Sequence, residues 1–292
     1  MPSNGLIVTA DDFGVAHEVN TAVEIAHRDG VLTAASLMVT GSAAADAVAC
    51  ARRNPSLRVG LHLVLVEGRP ALPASEVPGL VDIDGRFRAN MARAGAAMFF
   101  NPSARRQLEA EIEAQFRAFA DTGFTLDHVN AHKHFHLHPT IASLILKTGA
   151  RHGLLAARIP IEPRDVLSLA EPAGHFRADP VVDLWAALAR GRFRRAGLRV
   201  PDQVFGLRWS GAMTTSRLGA LIENLPTGLS EIYLHPATSD AFAGAAPGYG
   251  YAEELAALTA PEVIEAVKTS GVRTGGFLDF LGDRTTVGGI SA

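Results

Sequence analysis

Short apolar runs alternate with segments of helical pattern along most of the chain, and this alternation constrains the fold more than any other feature. We expect strands at residues 6–9, 35–39, 58–66, 126–132, 157–161, 203–206, 231–234 and 273–276. We expect helices at residues 19–28, 43–53, 102–121, 139–152, 181–195, 215–225 and 261–270. Seven or eight such strand–helix units, with no obvious linker, predict an α/β fold. They favour a single TIM-like (β/α) barrel, with room for distortion, over two domains or an open sheet.

One stretch, residues 67–101, breaks the alternation. It is predicted to be a long loop excursion from a single domain that spans residues 1–292. Its turn-forming residues are Pro70, Pro73, Pro78, Gly79 and Gly85. Long loops in compact domains usually carry function. We therefore expect this excursion either to close over a substrate or to pack against a second subunit, as in a homodimer.

Charge and cysteine content exclude several classes of protein. A formal net charge of −3 provides no general attraction to nucleic acid. The single cysteine, Cys50, has no partner for a disulfide within the chain, which suits a reducing compartment. The sequence shows neither a signal-peptide pattern nor an apolar run long enough to span a membrane. We therefore predict a cytoplasmic location.

A histidine-rich run at residues 130–139 suggests a functional site. Histidines occupy every second position of this run, at His132, His134, His136 and His138, and His128 extends the alternation upstream. Pro139 disfavours a helix through the run and suits the first turn of a following helix. We interpret the run as a strand end followed by a loop. Protonated imidazoles crowded there would repel one another, so a metal or a carboxylate partner explains them better than a solvated histidine-rich loop.

Residues capable of catalysis also follow other predicted strands. Asp11 and Asp12 follow the first strand, His62 lies near the end of the third, and His235 directly follows a late strand. The carboxyl ends of barrel strands meet at one face, so we expect these side chains to share a site with the histidine run. Two histidines and a carboxylate suit a hydrolytic divalent metal ion such as Zn²⁺, Mg²⁺, Mn²⁺ or Co²⁺, and the ligand types alone do not decide among them. A second carboxylate could act as a base.

Four motifs, in order, carry a resemblance to a known family. They are TADDFG at residues 9–14, GLHL at 60–63, HKHFH at 132–136 and LHP at 234–236. The ordered set resembles the YdjC-like carbohydrate deacetylases over nearly the whole length. This resemblance implies a metal-dependent (β/α)-barrel hydrolase that removes the acetyl group from an N-acetylated amino sugar and releases acetate.

The resemblance also implies roles for individual residues. The family's metal ligands are matched by Asp12, His62 and His132, and its catalytic base is matched by Asp11. His235 is the candidate general acid for the departing amine, and His136 is its competitor.

Four further residues are expected around this site. Arg158 is expected to orient Asp11, and His134 and His138 are expected to support the ligands or contact the substrate. In the family, chitooligosaccharide deacetylases carry an aspartate and another histidine where this chain has Asn130 and Lys133. Asn130 therefore belongs to the predicted site, and the two differences disfavour a chitooligosaccharide substrate more than they disfavour the chemistry.

Two segments of the sequence are most similar to the hopanoid-biosynthesis-associated branch of the family, HpnK. These are GLHLVLVEGRP at residues 60–70 and AASLMV at residues 34–39. The similarity implies a glycolipid substrate in which N-acetylglucosamine on a hopanoid polyol tail becomes glucosamine. The arginine-rich segment 190–199 and the apolar residues 98–100 would then contact the inner membrane surface peripherally; a solvated amphipathic helix is the alternative for the arginines.

Three other functions stay open at the level of sequence. The first is the same chemistry on soluble chitooligosaccharides. The second is a non-catalytic metal-binding or sensing protein built on the same barrel. The third is a phosphoesterase with a similar metal centre, although the sequence has no glycine loop of the kind that cradles phosphate.

Overall fold

All but one of the predicted strands form a single parallel sheet. The computed structural model describes residues 4–174 and 180–282, and within them the strands are β1 Gly5–Phe13, β2 Ala34–Leu37, β3 Arg58–Leu63, β4 Val129–Ala131, β5 Gln203–Phe205, β6 Leu229–Leu234 and β7 Arg273–Thr274. Their order is β4-β3-β2-β1-β6-β5, and β7 pairs with the start of β1. Almost every residue of β1, β2 and β6 is buried, as expected for parallel strands that are covered on both faces.

Helices connect the strands and cover the sheet. In the described ranges they are α1 His17–Asp29, α2 Ala44–Arg53, α3 Met91–Phe100, α4 Pro102–Ala120, α5 Pro139–Arg151, α6 Arg164–Ala170, α7 Pro180–Arg195, α8 Thr215–Glu223, α9 Tyr251–Thr259 and α10 Pro261–Thr269. Proline occupies the first turn of α4, α5 and α10, where its missing N–H costs no helical hydrogen bond. None of the described helices combines the length and apolarity needed to cross a bilayer.

The exception among the predicted strands is residues 157–161, which form an extended segment with isolated bridges. The Arg158 amide donates to the Val129 carbonyl at 3.1 Å, and the Val204 amide donates to the Ile161 carbonyl at 2.9 Å. The segment therefore bonds to β4 on one side and to β5 on the other. Pro160 lacks the N–H that a continuous ladder requires. The result is a distorted (β/α) barrel whose two edge strands are joined through this irregular segment.

The predicted loop at residues 67–101 is partly ordered as secondary structure. Its last third is α3, whose first turn is capped by the Asn90 side chain accepting from the Arg93 amide at 3.0 Å. Earlier in the excursion, Val81 and Phe87 form an antiparallel bridge, and Phe87 is buried. The prediction of an irregular loop throughout was wrong, because the proline and glycine content of residues 67–85 hid the helix that follows. Two short helices, α6 and α9, were also absent from the prediction.

Candidate active site

Three potential metal ligands converge at the carboxyl ends of β1, β3 and β4. Asp12 Oδ1 lies 3.2 Å from His62 Nε2 and 3.2 Å from His132 Nδ1. One ligand atom from each of the three residues lies within 4.8 Å of the others. The structure thus brings together the three residues that the sequence nominated as ligands.

The backbone around these ligands is locally strained. The pairing of β1 with β2 shifts register between Ala10 and Phe13, so both aspartates lie in a bulge, and Asp12 adopts a φ of 61°. Lys133 and His134, directly after His132, have φ values of 52° and 54°. Each such non-glycine residue costs roughly 1–3 kcal/mol, and residues of this kind concentrate at functional sites. The bulge allows adjacent aspartates to point to different partners.

Hydrogen bonding determines which nitrogen of His62 faces Asp12. Asn130 donates from Nδ2 to Asp11 Oδ1 at 3.0 Å, so its amide oxygen is the atom that lies 2.7 Å from His62 Nδ1. An amide oxygen only accepts, so Nδ1 carries the ring hydrogen and Nε2 presents a lone pair. This Nε2 has no hydrogen-bond partner among the described residues.

The donor set therefore fits a cation. The lone pair of His62 Nε2 and the carboxylate oxygen of Asp12, 3.2 Å apart, repel each other unless a positive charge lies between them. His132 shares the same carboxylate oxygen; burial lowers the pKa of His132, but Asp12 outweighs burial and raises it. Two imidazoles, one carboxylate and open positions are the ligand set of a hydrolytic divalent metal site.

Asp11 lies beside the ligands in a buried ion-pair cluster. Arg158 donates from Nη1 to Asp11 Oδ2 and from Nε to Glu231 Oε1 at 2.9 Å, and its guanidinium stacks over the Tyr233 ring at 4.3 Å. Burial raises the pKa of Asp11, but Arg158 outweighs it and holds the pKa well below its usual range. Asp11 is therefore ionised at neutral pH, and the predicted contact with Arg158 is present.

The two candidate acids differ in their access to the site. His235 is half-buried, and its ring lies edge-on to Tyr233 and Tyr249 at 5.8 and 5.4 Å. It is close enough to lower the pKa values of both aspartates. His136 is only 1% exposed, and burial together with Arg158 lowers its pKa to about 3. His136 is therefore neutral and enclosed at neutral pH.

The remaining histidines of the run occupy two different surroundings. His134 Nε2 lies 2.8 Å from the Tyr233 hydroxyl, which connects it to the Arg158 cluster. His138 instead packs against α3: its ring lies edge-on to Phe99 at 6.3 Å, and Gly95 leaves room for it. The structure thus places His134 near Asp11 and His138 toward a neighbouring apolar surface.

Two clefts meet at the segment 132–138. The first has a volume of about 370 Å³ and is lined by Asp12, His132, Glu67, Arg69 and Arg86, among others. The second has a volume of about 470 Å³ and a mainly apolar lining that includes Met91, Phe135, Leu137, Trp185 and Leu207. His134 and His138 also line the second cleft. The segment 132–138 therefore borders both a cleft that is lined by the ligands Asp12 and His132 and an apolar cleft.

Several site residues were missed by sequence reasoning. Glu231 accepts from Arg158, and Ser36 accepts from Asn130 Nδ2 at 3.0 Å. Both are fully buried and lie inside strands that otherwise consist largely of apolar residues. The signal in the sequence that could have identified them is a polar residue within an otherwise apolar predicted strand.

Comparisons with known proteins agree with this geometry. A family model described as YdjC-like protein matches residues 5–269. A carbohydrate deacetylase of Geobacillus stearothermophilus is 32% identical over 271 residues, which cover 91% of this chain and 94% of that relative. A chitooligosaccharide deacetylase of Salmonella schwarzengrund is 29% identical over 278 residues, which cover 94% of this chain and 98% of that relative.

A solved structure from Enterococcus faecalis V583 has the same fold. Its name refers to cellobiose-phosphate cleavage, and it matches 95% of this chain and 99% of its own chain with a TM-score of 0.73. Its sequence identity is 24%, so the comparison concerns the fold alone.

Proposed function

The chain belongs to the family of YdjC-like proteins, and we propose that it is a metal-dependent carbohydrate N-deacetylase. The reaction adds water to the acetamido group of an N-acetylated amino sugar, breaks the C–N bond, and releases acetate and a free amine. The observation that carries this proposal is the opposed pair of acceptors, His62 Nε2 and Asp12 Oδ1, next to the ionised Asp11.

Asp12, His62 and His132 are the residues that would hold the metal ion. When bound there, a divalent ion supplies a Lewis acid for the amide carbonyl and lowers the pKa of water. Mg²⁺ and Zn²⁺ are the ions we favour, with Mn²⁺ and Co²⁺ as alternatives.

Asp11 and His235 divide the proton transfers. Asp11 is held in place by Arg158 and Asn130 and accepts the proton of the attacking water. The proton must then pass on, because the departing nitrogen has to be protonated and Asp11 has to be ionised again for the next reaction. His235 is partly exposed and lowers the pKa values of both aspartates, and we assign it as the acid that protonates the departing nitrogen. His136 is enclosed, and we assign it to packing beside Arg158.

For the substrate, we propose a sugar with an apolar aglycone, in line with the glycosylated hopanoid that the HpnK-like segments imply. The apolar cleft is lined by residues 133–135, 137 and 138, which directly follow the proposed ligand His132 in the chain. Exposed apolar side chains near it include Phe99, Phe100, Leu184, Trp185 and Leu188. Such surfaces usually mark a binding site. Soluble chitooligosaccharides are the alternative, and the Salmonella relative is named for that substrate.

A peripheral membrane contact fits this substrate but depends less on the arginines than the sequence suggested. Arg194 donates to Asp202 Oδ1 at 2.7 Å, Arg190 donates to the Asp202 carbonyl at 3.3 Å, and Arg192 donates to the Pro139 carbonyl at 3.3 Å. These cations are therefore partly engaged within the protein. The cytoplasmic location, the membrane contact and the homodimer stay predictions.

The test of the proposed function is acetate release from two substrates. Purified protein with added metal is given N-acetylglucosamine on a hopanoid polyol, and in parallel diacetylchitobiose. We expect faster release from the glycolipid and loss of release in Asp11→Asn. Faster release from diacetylchitobiose would reverse the substrate proposal. Stoichiometric metal binding with no release from either would favour a non-catalytic metal-binding protein.

A further inference from the structure

A buried line of hydrogen bonds runs from the end of the described chain to the proposed metal site. The amides of Phe277 and Leu278 donate to Asp127, each at 3.1 Å, and Asp127 Oδ2 lies 2.9 Å from His128 Nδ1. His128 Nε2 lies 2.9 Å from Ser36 Oγ. Ser36 Oγ then accepts from Asn130 Nδ2, the amide that bonds to His62 and Asp11. Asp127, His128, Ser36 and Asn130 are at most 1% exposed.

The backbone amides at the start of this line determine which atom donates in each of the hydrogen bonds that follow. Backbone amides only donate, so Asp127 accepts; burial raises its pKa, but His128 and the two amides lower it below the usual value. His128 therefore donates from Nδ1 and accepts at Nε2. The Ser36 hydroxyl has one hydrogen, and His128 Nε2 is the acceptor within its reach among the described contacts. Ser36 Oγ is then free to accept from Asn130.

Packing holds the His128 ring in its place. On one side it stacks on Phe277, with ring centroids 4.2 Å apart and planes 21° from parallel. On the other side it lies against Gly60, where a Cβ atom would be 2.4 Å from the ring. The ring can neither tilt nor move away from Ser36 without displacing one of these neighbours. The line is thus fixed by both hydrogen bonding and sterics.

We propose that Asp127, His128 and Ser36 are positioning residues that fix the amide of Asn130 and thereby the Nδ1–H tautomer of His62. This inference rests on the proposed function. The amide of Asn130 has two hydrogens, one donated to Asp11 and the other to Ser36. The bond from Asn130 to Ser36 does not involve Asp11, so the Asn130 oxygen keeps facing His62. His62 Nε2 is consequently held available as a ligand.

The first test uses the wild-type protein without metal. Long-range ¹H–¹⁵N correlation spectra of histidine-labelled protein distinguish the two neutral tautomers, and His62→Gln and His128→Gln variants assign the signals. We expect both His62 and His128 to carry their hydrogen on Nδ1 at neutral pH. A hydrogen on Nε2 of His128, or a doubly protonated His128, would reverse the line and overturn the proposal.

The second test compares two buried serines. Ser36→Ala removes the hydroxyl within the line, and Ser230→Ala removes a hydroxyl from β6 that is equally buried and has no partner among the described residues. We expect Ser36→Ala to weaken the affinity of the metal-free protein for Zn²⁺ by about 10-fold or more in calorimetric titration, and Ser230→Ala to leave it unchanged. Equal affinities in both variants would contradict the proposal.

Neither measurement depends on deacetylation. If no substrate released acetate, the proposed function would fail while the tautomers and the two affinities could still come out as expected. If Ser36→Ala did not fold, the wild-type spectra alone would decide. Deacetylation with an inverted His128 tautomer would refute this inference and leave the proposed function intact.

Discussion

Among single residues, Arg158 has the strongest influence on the proposed site. Its guanidinium is fully buried and bonds to Asp11 and to Glu231, which come from different strands. It therefore compensates two buried carboxylates at once. This cation makes the largest contribution to keeping Asp11 ionised inside the barrel.

Removal of Arg158 is expected to destabilise the protein strongly. Arg158→Met would leave two buried carboxylates without their partner, which costs roughly 3–5 kcal/mol of unfolding free energy. Arg117→Met is the control, because Arg117 pairs with Glu113 on the surface, with a side chain that is 72% exposed, and such pairs contribute at most about 1 kcal/mol. Urea unfolding measures both variants. Similar losses in the two would contradict the role of Arg158.

Substitution of Asp11 and substitution of Asp12 are expected to impair the enzyme in different ways. Asp12→Asn should abolish metal binding, because Asp12 is the carboxylate of the ligand set. Asp11→Asn should retain one equivalent of metal and lower kcat by about 100-fold or more, because it removes a base. Metal analysis beside acetate-release kinetics separates the outcomes. Loss of metal in Asp11→Asn would remove Asp11 from its role as base.

At the residue scale, the sequence revealed the side chains that form the site but not the buried side chains that hydrogen-bond to them. Asp11, Asp12, His62 and His132 were identifiable because chemically reactive types follow predicted strands. Their supports, such as Ser36 and Glu231, depend on strand register: Glu231 lies opposite Ile7, and Ser36 lies opposite Gly60. A single sequence contains no direct record of register, so these contacts could not be foreseen.

Among the elements, α4 and α5 are joined by a charged cluster outside the barrel. Glu113 of α4 bonds to His152 at 2.9 Å, and also to Arg151 and Arg117. Burial raises the pKa of Glu113, but Arg151 and His152 outweigh it and lower the pKa to about 2. A lowered folded-state pKa means that ionised Glu113 stabilises the folded protein.

The stabilisation by Glu113 is expected to depend on pH in a defined direction. It is fully present above the ordinary pKa of 4.5 and is lost as pH falls towards 2. Metal-free Glu113→Gln should therefore unfold more readily than metal-free wild type at pH 7, by at most about 1 kcal/mol after allowance for solvent screening. The two proteins should converge near pH 2. A difference that persisted there would identify a cause other than the carboxylate.

The helices that could be predicted are those with a clear hydrophobic period and a proline in the first turn. α4 and α5 begin at prolines and follow a helical stripe, and both match the prediction within a residue or two. α3 was missed because a proline- and glycine-rich stretch precedes it. Residues 157–161 were predicted as a strand, but Pro160 lacks the N–H of a continuous ladder and the segment forms isolated bridges instead.

In the whole molecule, the proposed ligands connect parts of the chain that are distant in sequence. Asp12, His62 and His132 come from β1, from β3 and from the residue after β4. A metal ion that binds them binds only the folded barrel. Folding and metal binding should therefore be coupled.

Added metal is accordingly expected to stabilise the protein against heat. A free metal concentration 100 times the Kd corresponds to about 2.7 kcal/mol, which calorimetry or fluorescence would detect as a higher Tm. Asp12→Asn should show no such shift, and Asp11→Asn should keep most of it. An equal shift in Asp12→Asn would place the stabilising metal elsewhere.

The fold class was predictable because the alternation of strands and helices leaves few alternatives, but the irregular segment through which the barrel closes was not. β4 and β5 are connected through the segment 156–161 by a few hydrogen bonds. Whether two sheet edges meet depends on twist and on the length of the intervening segments, which hydrophobic period does not encode.

The segment 132–138 borders both clefts, and this arrangement has a consequence for how such a protein can change during evolution. The wall of the apolar cleft draws on α3 and on Trp185 of α7, neither of which supplies a proposed ligand. Under the proposal that the apolar cleft holds the aglycone, mutations on these helices change which aglycone is accepted while the hydrolytic chemistry stays constant. Proteins with this fold can therefore come to accept a different aglycone through substitutions in α3 and α7, without an inactive intermediate.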